Sequence, residues 1–263
     1  MDLGIKDRVA LVAASSRGLG QAVARGLAKE GAKLALCARS AATLDAAAEE
    51  IRRDTGADVM AGALDVTAYG DVRRFVSEVG KRFGRLDICV ANAGGPPAKT
   101  FAETTIDDWR AATDLNLMST VYFAKETLPL MQRQQWGRFI AITSVAVKQP
   151  VDGLILSNSV RSGVSGLIKT LANEYGRYGV LVNNVCPGYT ATARLVELSQ
   201  LLAAKEGVDP AEIEERWARQ TALGRVGRPE EFADLVVYLA SERATYITGA
   251  SIAVDGGLVK GLY

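Results

Sequence analysis

The stretch RVALVAASSRGLGQAVARGLAKEGAKLALCARS, residues 8–40, decides the fold. After Arg8 it opens with an unbroken apolar run to Ala14, the pattern of a strand buried on both faces. GLGQAVARGLAKEG then reads as a helix, and KLALCA (33–38) as a second strand. Gly18 and Gly20 fall where the first strand gives way to that helix. Backbone N–H groups at such a turn point out of the helix N-terminus, where a phosphate fits. Two glycines also suit an ordinary βα turn. Their place in the first βα unit is what favours nucleotide binding.

The same alternation continues to the end of the chain. Further strand candidates are DVMAGALDV (58–66), LDICVANAG (86–94), GRFIAITS (137–144), VLVNNVCPG (180–188) and ASIAVDGG (250–257). Helical patterns lie between them, including a long segment over 105–135 and another over 153–176, where Val160, Val164, Leu167, Ile168 and Leu171 recur at three- and four-residue steps. Continuous apolar strands alternating with helices predict a doubly wound α/β fold, with seven parallel strands and helices on both faces. No repeat, low-complexity tract or linker interrupts residues 1–263, so one dinucleotide-binding domain is expected. The charged helical excursion at 190–222 departs from the alternation and reads either as a lid or as a packing helix pair.

Composition narrows the chemistry. The chain carries 31 basic and 30 acidic residues, a formal charge of +1, which argues against a nucleic-acid groove or a membrane-surface patch. No stretch reaches the roughly 18 uninterrupted apolar residues of a membrane span, and the N-terminal stretch lacks a secretory pattern, so a cytoplasmic protein is expected. There is no histidine, which removes Ser-His-Asp catalysis and the commonest zinc ligand. Cys37, Cys89 and Cys186 each lie in or beside an apolar run and read as small core residues, so no metal site is expected.

At the end of the second strand the chain has Ala38 where a carboxylate would bind both hydroxyls of an adenosine ribose. Arg39 follows it, and Arg17 precedes Gly18. Two guanidiniums at this edge suit a 2′-phosphate, and so NADP(H) over NAD(H); two solvated surface arginines are the alternative.

From here the chain resembles a known family. LDICVANAG, ATDLNLMST, GRFIAITSVA, VNNVCPGYTAT and GRVGRPEEFADLVVYLASERATYITGASIAVDGG are similar to the successive landmarks of short-chain dehydrogenases/reductases, and most similar to the 3-oxoacyl-[acyl-carrier-protein] reductases. The resemblance spans about residues 5–258 in order and spacing. It implies a Rossmann-type fold in which Ser15, Ser16, Arg17, Gly18, Leu19 and Gly20 line the pyrophosphate and adenosine end. It further implies that Asp65 and Val66 flank the adenine and that Asn92, Ala93 and Gly94 pass beneath the cofactor ribose. Pro187, Gly188, Thr190 and Thr192 would hold the nicotinamide. Asn116 matches the family's asparagine that positions a proton-relay water, and Ser144 the serine that bonds the reacting carbonyl oxygen.

Three departures stand out. The Thr-Gly opening of the glycine-rich loop is Ala13-Ala14, and Asn-Asn-Ala-Gly is Ala91-Asn92-Ala93-Gly94. The family's Tyr-x-x-x-Lys begins thirteen residues beyond the catalytic serine; counted from Ser144, those positions hold Ser157 and Arg161. A phenol titrates near pH 10 and is tuned down by a neighbouring ammonium, whereas an aliphatic hydroxyl is far less acidic and shorter by a ring. Arg161 retains donors for the nicotinamide ribose but does not hand on a proton.

The resemblance thus implies an NADP(H)-dependent oxidoreductase that interconverts a ketone and a secondary alcohol through an atypical relay. Proton sources to weigh are Tyr189 and a water held by Ser144, Asn116 and Ser157. Two alternatives are a non-catalytic NADP(H)-binding sensor or inert subunit, and a cofactor-free dehalogenase-like lyase, which the retained glycine loop disfavours. The substrate would be a small carbonyl or alcohol, or an acyl thioester, with Arg133 and Arg138 as carrier-protein contacts or plain surface charge. Relatives of this kind imply a homotetramer built through the helices at 105–135 and 157–176.

Overall fold

The computed structural model describes residues 2–262. Its seven strands are β1 (Val9–Ala13), β2 (Lys33–Ala38), β3 (Val59–Ala63), β4 (Ile88–Ala91), β5 (Gly137–Ile142), β6 (Val180–Pro187) and β7 (Ser251–Val254). All pair in parallel in the order β3-β2-β1-β4-β5-β6-β7. The order reverses direction between β1 and β4, which opens a crevice at their C-terminal ends, where ligands bind in folds of this class.

The helices are α1 (Gly18–Lys29), α2 (Ala41–Thr55), α3 (Tyr69–Phe83), α4 (Ile106–Thr113), α5 (Ser119–Gln134), α6 (Ile155–Tyr175), α7 (Ala193–Glu206), α8 (Pro210–Gln220) and α9 (Pro229–Leu239). Successive strand residues point to opposite faces, and β1 shows the consequence. Ala10 and Val12 join a core with Val23 and Leu27 of α1, Leu44 of α2 and Phe232 of α9. Val9, Leu11 and Ala13 join the opposite core with Val76 of α3, Phe123 of α5 and Ile168 of α6. Each Val, Leu, Ile or Phe among them, fully buried, contributes about 1.5–3 kcal/mol. Cys37, Cys89 and Cys186 are free and buried in these layers, as their apolar surroundings suggest; burial pushes the Cys37 thiol up to about 12.

Two local features differ from the sequence expectations. The helical segment at 105–135 is α4 and α5 joined through a π-helical turn at Asp114–Met118, which contains Asn116. Arg138, weighed as a surface contact, is buried at the start of β5. Its guanidinium donates to the carbonyls of Gly137, Gly179 and Ser241 and lies 4.1 Å from the Trp136 ring centroid. Desolvation brings it down to about 10, and it is not available to a docking partner.

Candidate functional site

The crevice is built by the loops that leave β1, β4, β5 and β6. After β1 the chain turns at Ala14, whose φ of 49° lies in the left-handed region that disfavours a Cβ. Ser15 is fully buried, and its amide and hydroxyl both donate to the Cys37 carbonyl of β2. Arg17 precedes α1, which starts at Gly18 with no side-chain cap and no acidic residue in its first turn. A Cβ on Gly20 would collide with the Ala14 carbonyl and stand 3.0 Å from the Asn92 side-chain nitrogen. The turn therefore admits no side chain there, and the backbone of α1 lies close against β1 and β4. Such a cradle fits the pyrophosphate of a dinucleotide.

Beside it lies the end of β2. Ala38 is buried, and Arg39 is exposed at the rim. Asp65 accepts from the amide and hydroxyl of Thr67 at 2.9 and 2.8 Å, and the Thr67 amide chiefly holds its carboxyl below the usual range, with Arg39 contributing. Val66 is buried next to it. The Arg17 guanidinium lies 3.7 Å from Glu197 of α7, an exposed pair on the lid side.

Four residues make the floor. Ser144 follows β5 in extended conformation and accepts from the Ala146 amide at 3.1 Å. Asn116 is held in the π-helical turn, donates to the Gly94 carbonyl at 2.8 Å and leaves its Oδ1 buried without a partner among the described residues. Ser157 is buried in the first turn of α6, and Arg161 one turn later on the same face is buried too. The Arg161 guanidinium donates to the carbonyls of Ile142 (3.2 Å), Thr143 (3.0 Å) and Gly94 (3.2 Å). Three of the five guanidinium N–H groups are thereby committed to neutral backbone acceptors. Burial, then the nearby Arg194 charge, lowers Arg161 to about 10. Asn92 and Ala93 continue from β4 into Gly94, where a Cβ would meet open space.

The roof begins at Pro187 and Gly188, which close against β7 through a Gly188 amide bond to Val254 of 3.0 Å. Thr190 is buried and donates to the Gly188 carbonyl, while Thr192 caps α7 and lies against Gly18 of the glycine-rich loop. The excursion at 190–222 forms α7 and α8 with a small core of its own, Ala203, Ile213 and Trp217. Tyr189 stacks on Trp217 at 5.1 Å, and its phenol donates to Gln220 at 3.3 Å. Burial, then the Asp152 charge, raises that phenol above its ordinary value, which makes it a poorer proton donor.

Residues that sequence reasoning passed over complete the site. Arg194 of α7 donates to the Pro96 carbonyl at 3.0 Å and lies over Gly95. Thr143, Asn184, Ser165 and Ser251 form a buried network that ties α6 to the sheet beneath Ser144. In the sequence Arg194 is only an arginine in a charged excursion, and Asn184 only one of two asparagines in a strand. Neither carries a spacing signal.

Comparison with known proteins identifies the family and the fold. A family profile described as "Enoyl-(Acyl carrier protein) reductase" matches residues 13–259. The chain is 33% identical over 258 residues to the 3-oxoacyl-[acyl-carrier-protein] reductase FabG of Aquifex aeolicus, covering 98% of this chain and 100% of the relative. It is 33% identical over 250 residues to acetoacetyl-CoA reductase of Shinella zoogloeoides, covering 95% and 98%. Among solved structures, L-sorbose reductase from Gluconobacter frateurii complexed with NADPH and L-sorbose superposes with a TM-score of 0.95 at 34% identity over the whole of both chains.

Proposed function

Because this chain belongs to the short-chain dehydrogenase/reductase family and resembles its 3-oxoacyl-[acyl-carrier-protein] reductases, we propose that it is an NADP(H)-dependent oxidoreductase that interconverts a ketone and a secondary alcohol. The observation that carries the reading is that Asn116 and Arg161 meet on the Gly94 carbonyl after β4, with Arg161 also bonded to Thr143, the residue before Ser144, beside a glycine-rich cradle with no room for a Cβ at Gly20.

When bound, the nicotinamide would supply or accept the hydride. The chain's residues divide the remaining work. Gly18 to Gly20 and the start of α1 receive the pyrophosphate, and Arg39, with Arg17, favours a 2′-phosphate. Asn92 to Gly94, with Pro187, Gly188, Thr190 and Thr192, would hold the nicotinamide half. Ser144 bonds the substrate oxygen and polarises the carbonyl.

The proton is the atypical part. Ser157 is too weak an acid to donate it directly, and Tyr189 is bonded to Gln220 and shifted away from neutrality. The buried, unpartnered Asn116 Oδ1 favours a water in the floor as the donor, oriented together by Asn116, Ser144 and Ser157. Arg161 stabilises the developing alkoxide electrostatically while it fixes the Gly94 backbone.

Calorimetric titration with NADPH and NADH, followed by a panel of ketones monitored through NADPH absorbance, tests this reading. Tight NADPH binding with slow turnover is expected. NADPH binding without turnover of any ketone would favour a sensor or inert subunit instead, and no binding would remove the oxidoreductase reading.

A further inference from the structure

Arg194 and Arg161 bracket three residues of the loop after β4. Arg161 donates to Gly94 from below at 3.2 Å, and Arg194 donates to Pro96 at 3.0 Å while its guanidinium covers Gly95. A Cβ on Gly94 would meet nothing within 4 Å, so that position of the loop is open. The two cations are close enough that Arg194 disfavours the charge on Arg161.

Charge around this opening is unbalanced. Arg194 is the second residue of α7, whose first turn holds no acidic side chain, so a cation sits at the positive end of the helix. The hydrogen bonds of Arg161 go to three neutral carbonyls. Among the described residues the carboxylate paired with Arg194 is Glu197 at 3.7 Å, and it is shared at the same distance with Arg17. Lys99, on the neighbouring loop, is already paired with Asp108 at 2.7 Å. Two guanidiniums thus reach one loop segment, Gly94 to Pro96, and Asn116 bonds the same Gly94 carbonyl as Arg161.

We propose that Arg194, with Arg161 behind it, forms a subsite for a carboxylate on the carbonyl substrate, so that the enzyme takes oxo acids or hydroxy acids rather than neutral ketones. This rests on the oxidoreductase reading and names the substrate class for that site. Arg194 would bind the carboxylate in a charge-assisted hydrogen bond and hold the carbonyl carbon over the floor. The same chemistry would also suit the cofactor pyrophosphate, and the experiment separates the two.

Malonate serves as the probe, titrated calorimetrically at low ionic strength into the protein alone and into the protein saturated with NADP+, with R194Q and R194K in parallel. Malonate should bind both forms alike, R194Q should weaken it about tenfold or more, and R194K should recover part of the loss. Binding to the protein alone that vanishes with NADP+ would assign the subsite to the pyrophosphate and overturn the substrate proposal. Absence of malonate binding, or binding that ignores R194Q, would overturn the anion subsite altogether. A direct NADP+ titration reports separately on the cofactor reading; if NADP+ fails to bind, malonate binding to the protein alone still decides whether the anion subsite exists.

Discussion

Arg161 and Asn116 donate to one and the same acceptor, the Gly94 carbonyl oxygen, at 3.2 and 2.8 Å. A residue of α6 and a residue of the π-helical turn are thereby fixed to the end of β4 by a single atom. The arrangement makes Arg161 a cross-link between β4 and β5 as well as a charge in the site, because its other bonds reach Ile142 and Thr143.

That cross-link predicts that R161K is not conservative. A single ammonium cannot reach three carbonyls in the geometry of a planar fork. Unfolding in urea should show a loss of about 1–3 kcal/mol, and R161A should lose more. Unchanged stability in R161K would mean that the three bonds contribute nothing net.

Ala14 holds a φ of 49° at the entrance to the glycine-rich loop, where a left-handed residue with a Cβ costs about 1–2 kcal/mol. A14G should therefore raise the thermal midpoint by a few degrees, the added chain entropy of glycine offsetting only part of the relief. G20A should act in the opposite direction, because its methyl group meets the Ala14 carbonyl. It should both destabilise the fold and weaken NADPH binding, read by calorimetry.

Cofactor preference should reside at the rim of β2. R39A is expected to weaken NADPH by about tenfold or more and to leave NADH nearly unchanged, since only the former carries the 2′-phosphate. Equal effects on both would show that Arg39 does not read that group.

Tyr189 should prove dispensable for chemistry. Y189F is expected to keep turnover within about twofold of wild type, where loss of a general acid costs about a hundredfold or more. Burial raises the folded pKa of this phenol, so the folded state holds its proton more tightly than the unfolded chain. The resulting stability is complete below the ordinary value of about 10 and is lost as pH rises through the folded value. Wild-type stability should fall relative to Y189F in that alkaline window.

Asp108 contributes to the acid side, together with Glu231, which is also held at about 2, chiefly by Arg225. Its bond from Lys99, then those from the Thr105 amide and hydroxyl, hold it down at about 2. The stability it contributes is complete above the ordinary carboxylate value of about 4 and is lost as pH falls to about 2. Acid unfolding of D108N should lack that component, with faster amide exchange in the turns around Lys99 and Thr105 as the local readout.

The layered parallel sheet follows from the residues themselves: runs such as Val9–Ala13 and Lys33–Ala38 are apolar at nearly every position, and only a sheet covered on both faces buries them. Spacing alone likewise placed Ser157 and Arg161 one turn apart, on one face of α6. Arg138 shows the limit of such reading. A cation at a strand start looks like surface charge until the Gly179 and Ser241 carbonyls, distant in sequence, close around it together with that of the neighbouring Gly137. The same holds for Arg194 and for the orphaned oxygen of Asn116. Local sequence determines which residues can form a strand or a helix turn, because those interactions span a few residues. Which carbonyl a guanidinium meets, and which polar atom is left without a partner, depends on contacts between segments far apart in the chain, and only the tertiary structure decides them.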